Sequence, residues 1–180
     1  MLNENQARFR HGYSTCDHII SLYALFELLF FRKKKLHCAF VDFEKAFDFV
    51  HMNSLFFMLV QNSICGIFRR IIQNMYEDVK SCIKHNNEVS DVFLSKIGVR
   101  QGENLSPLLF ALYLNDLQSY LEQNNLKGVE SVSKDIEIEL LVYFKILLFL
   151  YADDTILLSE SAEDFQQMLN VFLLIVIPGI

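Results

Sequence analysis

The sequence predicts an α+β fold, with helices packed on one face of a mainly antiparallel sheet. Three observations carry this reading. Apolar runs of helical spacing alternate with short apolar or alternating runs of strand character. Capping and turn residues sit at the junctions: Ser14, Ser106-Pro107 and Ser161 precede helical runs, and His85-Asn86-Asn87 separates two strand-like ones. The chain has 180 residues, 52% hydrophobic and 21% charged, which is one domain's worth with material for a substantial core and argues against intrinsic disorder.

In chain order, Ser14 or Thr15 caps a helix over about 17–31, apolar nearly all round, the pattern of a buried helix. Arg32-Lys33-Lys34-Lys35 follows; a basic run there suits a helix C-terminus, where cations favour the dipole, as well as a nucleic-acid contact. Leu36 to Val41 reads as a short buried strand ending at Asp42. Helices are expected over about 53–61 and 66–76, then strands over 79–84 and 89–96 around the His85-Asn86-Asn87 turn. Ser106 as N-cap and Pro107 as first helical residue open a helix reaching about Glu122, with Leu108, Leu112, Tyr113, Leu117, Tyr120 and Leu121 inward. Asn124-Asn125 and Gly128 end it. The stretch 129–139 alternates Val, Ile and acids and reads as an edge strand or a loop. Strands over 142–150 and 155–159 flank Asp153-Asp154, and Ser161 to Asp164 has capping-box spacing before a last helix over about 162–174. No internal repeat, low-complexity tract or interdomain linker interrupts the chain.

Tyr151-Ala152-Asp153-Asp154 is the segment richest in chemistry. Adjacent carboxylates between apolar runs repel and resist ionising together, and a hard divalent cation such as Mg²⁺ would relieve that strain. An Asp-Asp hairpin tip also serves as an ordinary polar turn. Two other segments favour the metal reading. Asp42, at a strand's C-terminal end, is well placed to share a metal with the Asp-Asp turn. Gly98-Val99-Arg100-Gln101-Gly102 holds two glycines that permit unusual dihedrals or close approach to a ligand.

In chain order, the segments holding Asp42, Gly98 to Gly102 and Tyr151 to Asp154 resemble palm motifs A, B and C of reverse transcriptases, nearest to the non-LTR (LINE-type) retrotransposon class. Gln6-Ala7-Arg8-Phe9-Arg10-His11-Gly12-Tyr13-Ser14-Thr15 is similar to that class's fingers motif. The resemblance runs from about Gln6 to about Phe172. It implies a polymerase palm with part of the fingers: about 1–35 a fingers remnant, about 36–172 the palm, and 173–180 a divergent tail. The implied activity is RNA-directed DNA polymerisation, in which a primer 3′-hydroxyl attacks the α-phosphate of a deoxynucleotide with two Mg²⁺ ions about 4 Å apart, Mn²⁺ able to substitute. RNA template, DNA primer and deoxynucleoside triphosphates are the implied partners. By the same resemblance Asp42 and Asp153 bridge the metals, Asp154 supports them, and the Phe43 carbonyl is a further ligand. Phe47 is the implied steric gate against a 2′-hydroxyl, beside the alternative of a core phenylalanine. Gln101 and Gly102 lie against the nascent base pair, and Arg10 assists nucleotide binding or is a surface arginine. Asp48 reads as structural, and Lys45 as exposed or phosphate-contacting.

The chain also departs from the family pattern. Arg8 replaces the usual glycine and Tyr13 a smaller or basic residue. An upstream fingers hairpin, primer grip, thumb and endonuclease are expected of a full-length element and are not recognisable here. The apolar end Leu173 to Ile180 replaces a polar segment, and exposed apolar surface at the two ends predicts poor solubility or dependence on a partner segment. A catalytically incomplete retrotransposon remnant is therefore the alternative, with at most nucleic-acid or protein binding. A cyclase-like nucleotidyl enzyme is a third reading, disfavoured by the Arg100-to-Pro107 segment. Net charge of −6 is the wrong sign for a nucleic-acid binder taken whole, although many of the acids are metal candidates or surface residues. Four scattered cysteines indicate neither a zinc site nor a disulfide framework, and fit a reducing compartment. No secretory signal and no run long enough to span a bilayer is present, so an intracellular protein is expected, nuclear during retrotransposition by family inference.

Overall fold

The structure, a computed structural model, describes residue 8, residues 12–134 and residues 141–176. It is a mixture of helices and small antiparallel sheets, as an α+β fold requires. Two compact units are distinguishable: Glu44–Asn115, and the described residues up to Phe43 together with those from Asp116 onward.

The second unit is built on a three-stranded sheet of order β1-β9-β8, where β1 is His37–Asp42, β8 Leu148–Tyr151 and β9 Asp154–Ser159. Side chains alternate across a sheet, and the alternation here is apolar on both faces. Leu148, Leu150, Leu157 and Val41 join Leu117 and Leu121 of α5 (Leu117–Gln123) and Met168 and Phe172 of α6 (Ala162–Val176). Phe149, Leu158, Ile156 and Cys38 join Leu25 and Leu29 of α1 (Thr15–Phe31). Helices therefore cover opposite faces of this sheet, which corrects the expectation that all would lie on one. The correction follows from strands whose odd and even positions are both apolar, as in Leu148-Phe149-Leu150.

The starts of α1 and α6 are capped as expected. The Asp17 carboxylate accepts from the Ser14 backbone N–H at 2.6 Å and from its hydroxyl at 3.1 Å. The Ser161 hydroxyl donates to Asp164 at 2.7 Å and accepts from the Asp164 N–H at 3.1 Å. Past α1, Lys34 pairs with Glu160, which favours the structural role for at least that member of the basic run. Contrary to expectation α1 is not buried: Leu25 and Leu29 are, but Ile19, Ile20, Tyr23, Phe30 and Phe31 are exposed. One stripe meets the sheet, and nothing in the described chain covers the remainder.

The expected strand 142–150 is two. β7 (Leu141–Ile146) pairs with β6 (Val129–Lys134), whereas β8 pairs with β9, and Leu147 marks the change of partner. The stretch 129–139 is thus strand as far as residue 134; residues 135–140 lie outside the described chain.

In the first unit, α2 (Met52–Gln61), α3 (Gly66–Glu77) and α4 (Ser106–Tyr113) bury Leu55, Leu59, Ile72, Tyr76, Leu109, Phe110 and Leu112 together. β2 (Val79–Ser81) pairs with β5 (Phe93–Ser95), and β3 (Lys84–His85) with β4 (Glu88–Val89). Asn86 and Asn87 both take positive φ, 46° and 67°, which a tight two-residue hairpin of this twist demands and asparagine tolerates. Three expectations fail around α4 and α5. The helix starting at Ser106 stops at Tyr113, and α5 begins only at Leu117, with Asn115 and Asp116 between. Their short polar side chains compete with helical hydrogen bonding, and the Asn115 amide donates to Asn62 at 2.7 Å. Leu108 and Tyr120, placed inward by a continuous helix, are exposed. The N-cap is Leu105 rather than Ser106, whose buried hydroxyl instead meets Tyr76 at 3.2 Å. Among the described residues no helix is long and apolar enough to cross a membrane.

Candidate active site

Antiparallel register sets the acids. Asp42 of β1 lies directly opposite Asp154 of β9, and on the other side of β9 Asp154 lies opposite Tyr151 of β8. Directly opposed residues share a face, with Cβ atoms about 5 Å apart. Tyr151, Asp154 and Asp42 thus form a row across one end of the sheet. Asp42 and Asp154 are exposed; Asp153 is half-buried in the two-residue loop Ala152-Asp153 that joins β8 to β9. Ala152 is fully buried at φ 59°, a left-handed conformation that usually belongs to glycine. Such strain costs about 1–3 kcal/mol and persists only where the surroundings enforce it, commonly at functional sites.

Opposed carboxylates destabilise an antiparallel pair unless something compensates them. Hard oxygen donors of this kind suit Mg²⁺. By donor type Asp42, Asp153 and Asp154 fit such an ion. Among the described residues, though, no group of three His, Cys, Asp or Glu side chains stands close enough to hold a metal. Beyond Asp42, the Phe43 ring turns into the cluster under α6, 6.0 Å from Phe172 at 47°.

The remaining predicted residues, Arg10 apart, lie in the first unit. Gly98 takes φ 88°, its N–H donates to the Val50 carbonyl at 2.9 Å, and the Val99 N–H donates to the Phe47 carbonyl at 2.7 Å. A Cβ at Gly98 would sit 2.8 Å from the Asp48 carbonyl oxygen, so glycine is required by close approach as well as by φ. The Gln101 amide donates to Asp48 at 2.9 Å. That contact gives Asp48 its structural role. Gly102 takes φ 87° in open surroundings. Arg100 braces the loop: it donates to Glu103 and to the Met75 carbonyl, both at 2.8 Å, and its guanidinium lies 5.5 Å from the Tyr76 ring centre. Phe47 is half-buried and stacks on Phe110 with centroids 4.9 Å apart and planes 17° from parallel. The core role for Phe47 is therefore real. Arg10 lies outside the described residues.

Three features escaped sequence reading. Tyr76 anchors the loop through Ser106 and Arg100, a partnership across about thirty residues that periodicity cannot reveal. The His18 ring lies tilted against Phe149, with centroids 4.9 Å apart and planes at 37°, and burial lowers its pKa, opposed by the neighbouring Asp17 carboxylate. Arg8, legible only as a departure from the family pattern, lies over the Tyr151 ring at 5.2 Å.

Comparison with known proteins decides the ancestry. Residues 1–175 match the family described as reverse transcriptase (RNA-dependent DNA polymerase). The chain belongs to the reverse transcriptase family. A retrovirus-related Pol polyprotein from type-1 retrotransposable element R2 of Nasonia vitripennis is 27% identical over 172 residues, 94% of this chain and 15% of that protein. A probable RNA-directed DNA polymerase from transposon BS of Drosophila melanogaster is 27% identical over 117 residues, 65% of this chain and 13% of that protein. A telomerase reverse transcriptase of Oryza sativa subsp. japonica is 29% identical over 116 residues, 61% of this chain and 8% of that one. This reverse transcriptase chain thus spans a small fraction of the relatives it matches.

Proposed function

We propose that this chain is the palm and partial fingers of a retrotransposon RNA-directed DNA polymerase, extending a primer 3′-hydroxyl with deoxynucleotides on an RNA template. The observation that carries the reading is the register of Asp42 against Asp154, with Asp153 in the loop between β8 and β9. Two strands and one turn bring three carboxylates to one end of a sheet. Two Mg²⁺ ions held by Asp42, Asp153, Asp154 and the Phe43 carbonyl would supply charge neutralisation at the attacking and leaving oxygens. Phosphoryl transfer depends chiefly on positioning and electrostatics, so these side chains would dominate the rate. In the same proposal Phe47 excludes a 2′-hydroxyl, Gln101 and Gly102 contact the nascent base pair, and Arg10 assists nucleotide binding. Residues 1–35 would be fingers, 36–172 palm and 173–180 a divergent tail. Action in the nucleus belongs to the same reading, by analogy with insertion of non-LTR elements.

A second reading is a catalytically incomplete remnant. It is favoured by the lack, among the described residues, of any three metal-binding side chains close enough together. Deoxynucleotide incorporation on a primed RNA template, with Mg²⁺ or Mn²⁺, separates the two. The polymerase reading expects template-dependent extension that Asp153→Asn abolishes while folding is kept or slightly improved by loss of like-charge repulsion. Activity retained in that variant removes the metal assignment. No extension by a folded wild-type chain favours the remnant.

A further inference from the structure

We propose that Tyr76 is a positioning residue for base selection: its buried hydroxyl fixes where the Gln101-Gly102 tip stands, without touching the nascent base pair itself. The inference rests on the reading that Gln101 and Gly102 contact that pair. Its own basis is the network around one side chain. Tyr76 lies in the last turn of α3 and is buried. A buried phenolic hydroxyl needs a partner. That of Tyr76 stands 3.2 Å from the hydroxyl of Ser106, the fully buried first residue of α4, and donates to Glu103 at 3.4 Å. Arg100 closes the ring of contacts. One guanidinium nitrogen donates to Glu103 and another to the Met75 carbonyl, both at 2.8 Å, and the guanidinium lies 5.5 Å from the Tyr76 ring centre.

Gln101 and Gly102 lie between the two loop residues so anchored. The tip has little of its own to hold it. Gln101 is exposed and donates to Asp48, also exposed, at 2.9 Å, and Gly102 takes φ 87° in open surroundings. Exposed contacts open more readily than buried ones, so the place of the tip is set from its flanks. Glu103 and Ser106 both reach one hydroxyl. Removing it frees the loop and the start of α4 together, and leaves a buried serine hydroxyl in need of another partner. A misplacement of about 1 Å, caused by a change remote from the reacting atoms, can cost about 10²-fold. Discrimination between substrates is a difference of two such fits, so a loosened tip erodes it first.

The test uses the full chain as wild type, Tyr76→Phe, Ser106→Ala, those two together, and Gln101→Ala, each checked for folding by circular dichroism. Incorporation of a matched and of a mismatched deoxynucleotide is measured on a primed RNA template, and backbone amide exchange is followed in parallel. Tyr76→Phe removes one oxygen and keeps the ring. It should lower the matched-over-mismatched ratio of kcat/KM several-fold and speed exchange over 98–103, with exchange in α2 unchanged. A merely structural tyrosine would speed exchange throughout the first unit and leave the ratio as it was. The double variant should lose no more than the more affected single one, because both act through one contact. An unchanged ratio in folded, active Tyr76→Phe, or losses that add in the double variant, overturns the proposal. A ratio unmoved by Gln101→Ala overturns instead the reading on which it rests. No extension by the folded wild-type chain overturns the polymerase reading, and the base-selecting role with it.

Discussion

Phe47 is held by two demands at once. Its ring stacks on Phe110 at the edge of the first unit's core. In the proposed function the same ring excludes a 2′-hydroxyl. Phe47→Val should therefore lower stability by about 1–3 kcal/mol, less than for a fully buried phenylalanine, since part of the ring is exposed. It should also raise ribonucleotide use relative to deoxynucleotide use by about 10–200-fold, the range expected for reshaping an apolar wall. Sugar selectivity unchanged in a folded variant would leave Phe47 with its core role alone. His18 makes a prediction of the opposite kind, concerning pH rather than size. Burial lowers its pKa from the ordinary 6.5, against the raising effect of Asp17. As pH falls through 6.5 the unfolded chain takes up the proton first, so stability declines until the folded pKa is passed and then levels. His18→Gln should flatten that part of the profile. Urea midpoints at about pH 7.5 and about pH 5.5 measure it, and equal slopes in both proteins would mean that His18 is not the group responsible.

The loop from Gly98 to Glu103 shows what an element owes to its glycines. Gly98 and Gly102 both take positive φ, yet only Gly98 has a carbonyl 2.8 Å from where a Cβ would stand. Gly102→Ala should cost about 1 kcal/mol, the conformational penalty alone. Gly98→Ala should cost more, about 2–4 kcal/mol, because the loop must leave Phe47 and Val50 or distort them. Equal losses in urea unfolding would refute the steric account. Both glycines were visible in the sequence as permissive positions, but which of them touches another segment was not. The same limit runs through the other elements. Ser161 and Asp164 were legible as a capping pair because the interaction is local. The single strand expected over 142–150 was not legible as two, because Leu147 is set apart only by β7 and β8 choosing different partners. Asp42 and the Asp-Asp turn were legible as site candidates from their residue types and flanks. Their register, and the arginine over Tyr151, depend on contacts more than a hundred residues apart in the chain.

At the scale of the molecule the least expected feature is the outer face of α1. A helix apolar nearly all round reads as buried, because periodicity cannot tell burial within a chain from burial against something else. Here Ile20 is 66% exposed, Phe30 83% and Phe31 86%. Contiguous apolar surface of this kind is adhesive in water, and a net charge of −6 opposes association only at long range and low salt. The purified chain should therefore bind a hydrophobic dye and increase in scattering mass with concentration, more so as salt rises. Replacing Ile20, Phe30 and Phe31 together by glutamine should reduce both effects with little loss of stability, since those side chains leave the Leu25–Leu29 stripe intact. If the substituted chain unfolds, the outer face of α1 takes part in the fold after all. If the wild-type chain stays monomeric and dark to the dye at every concentration, the exposed face is not adhesive, and no partner need be invoked to cover it.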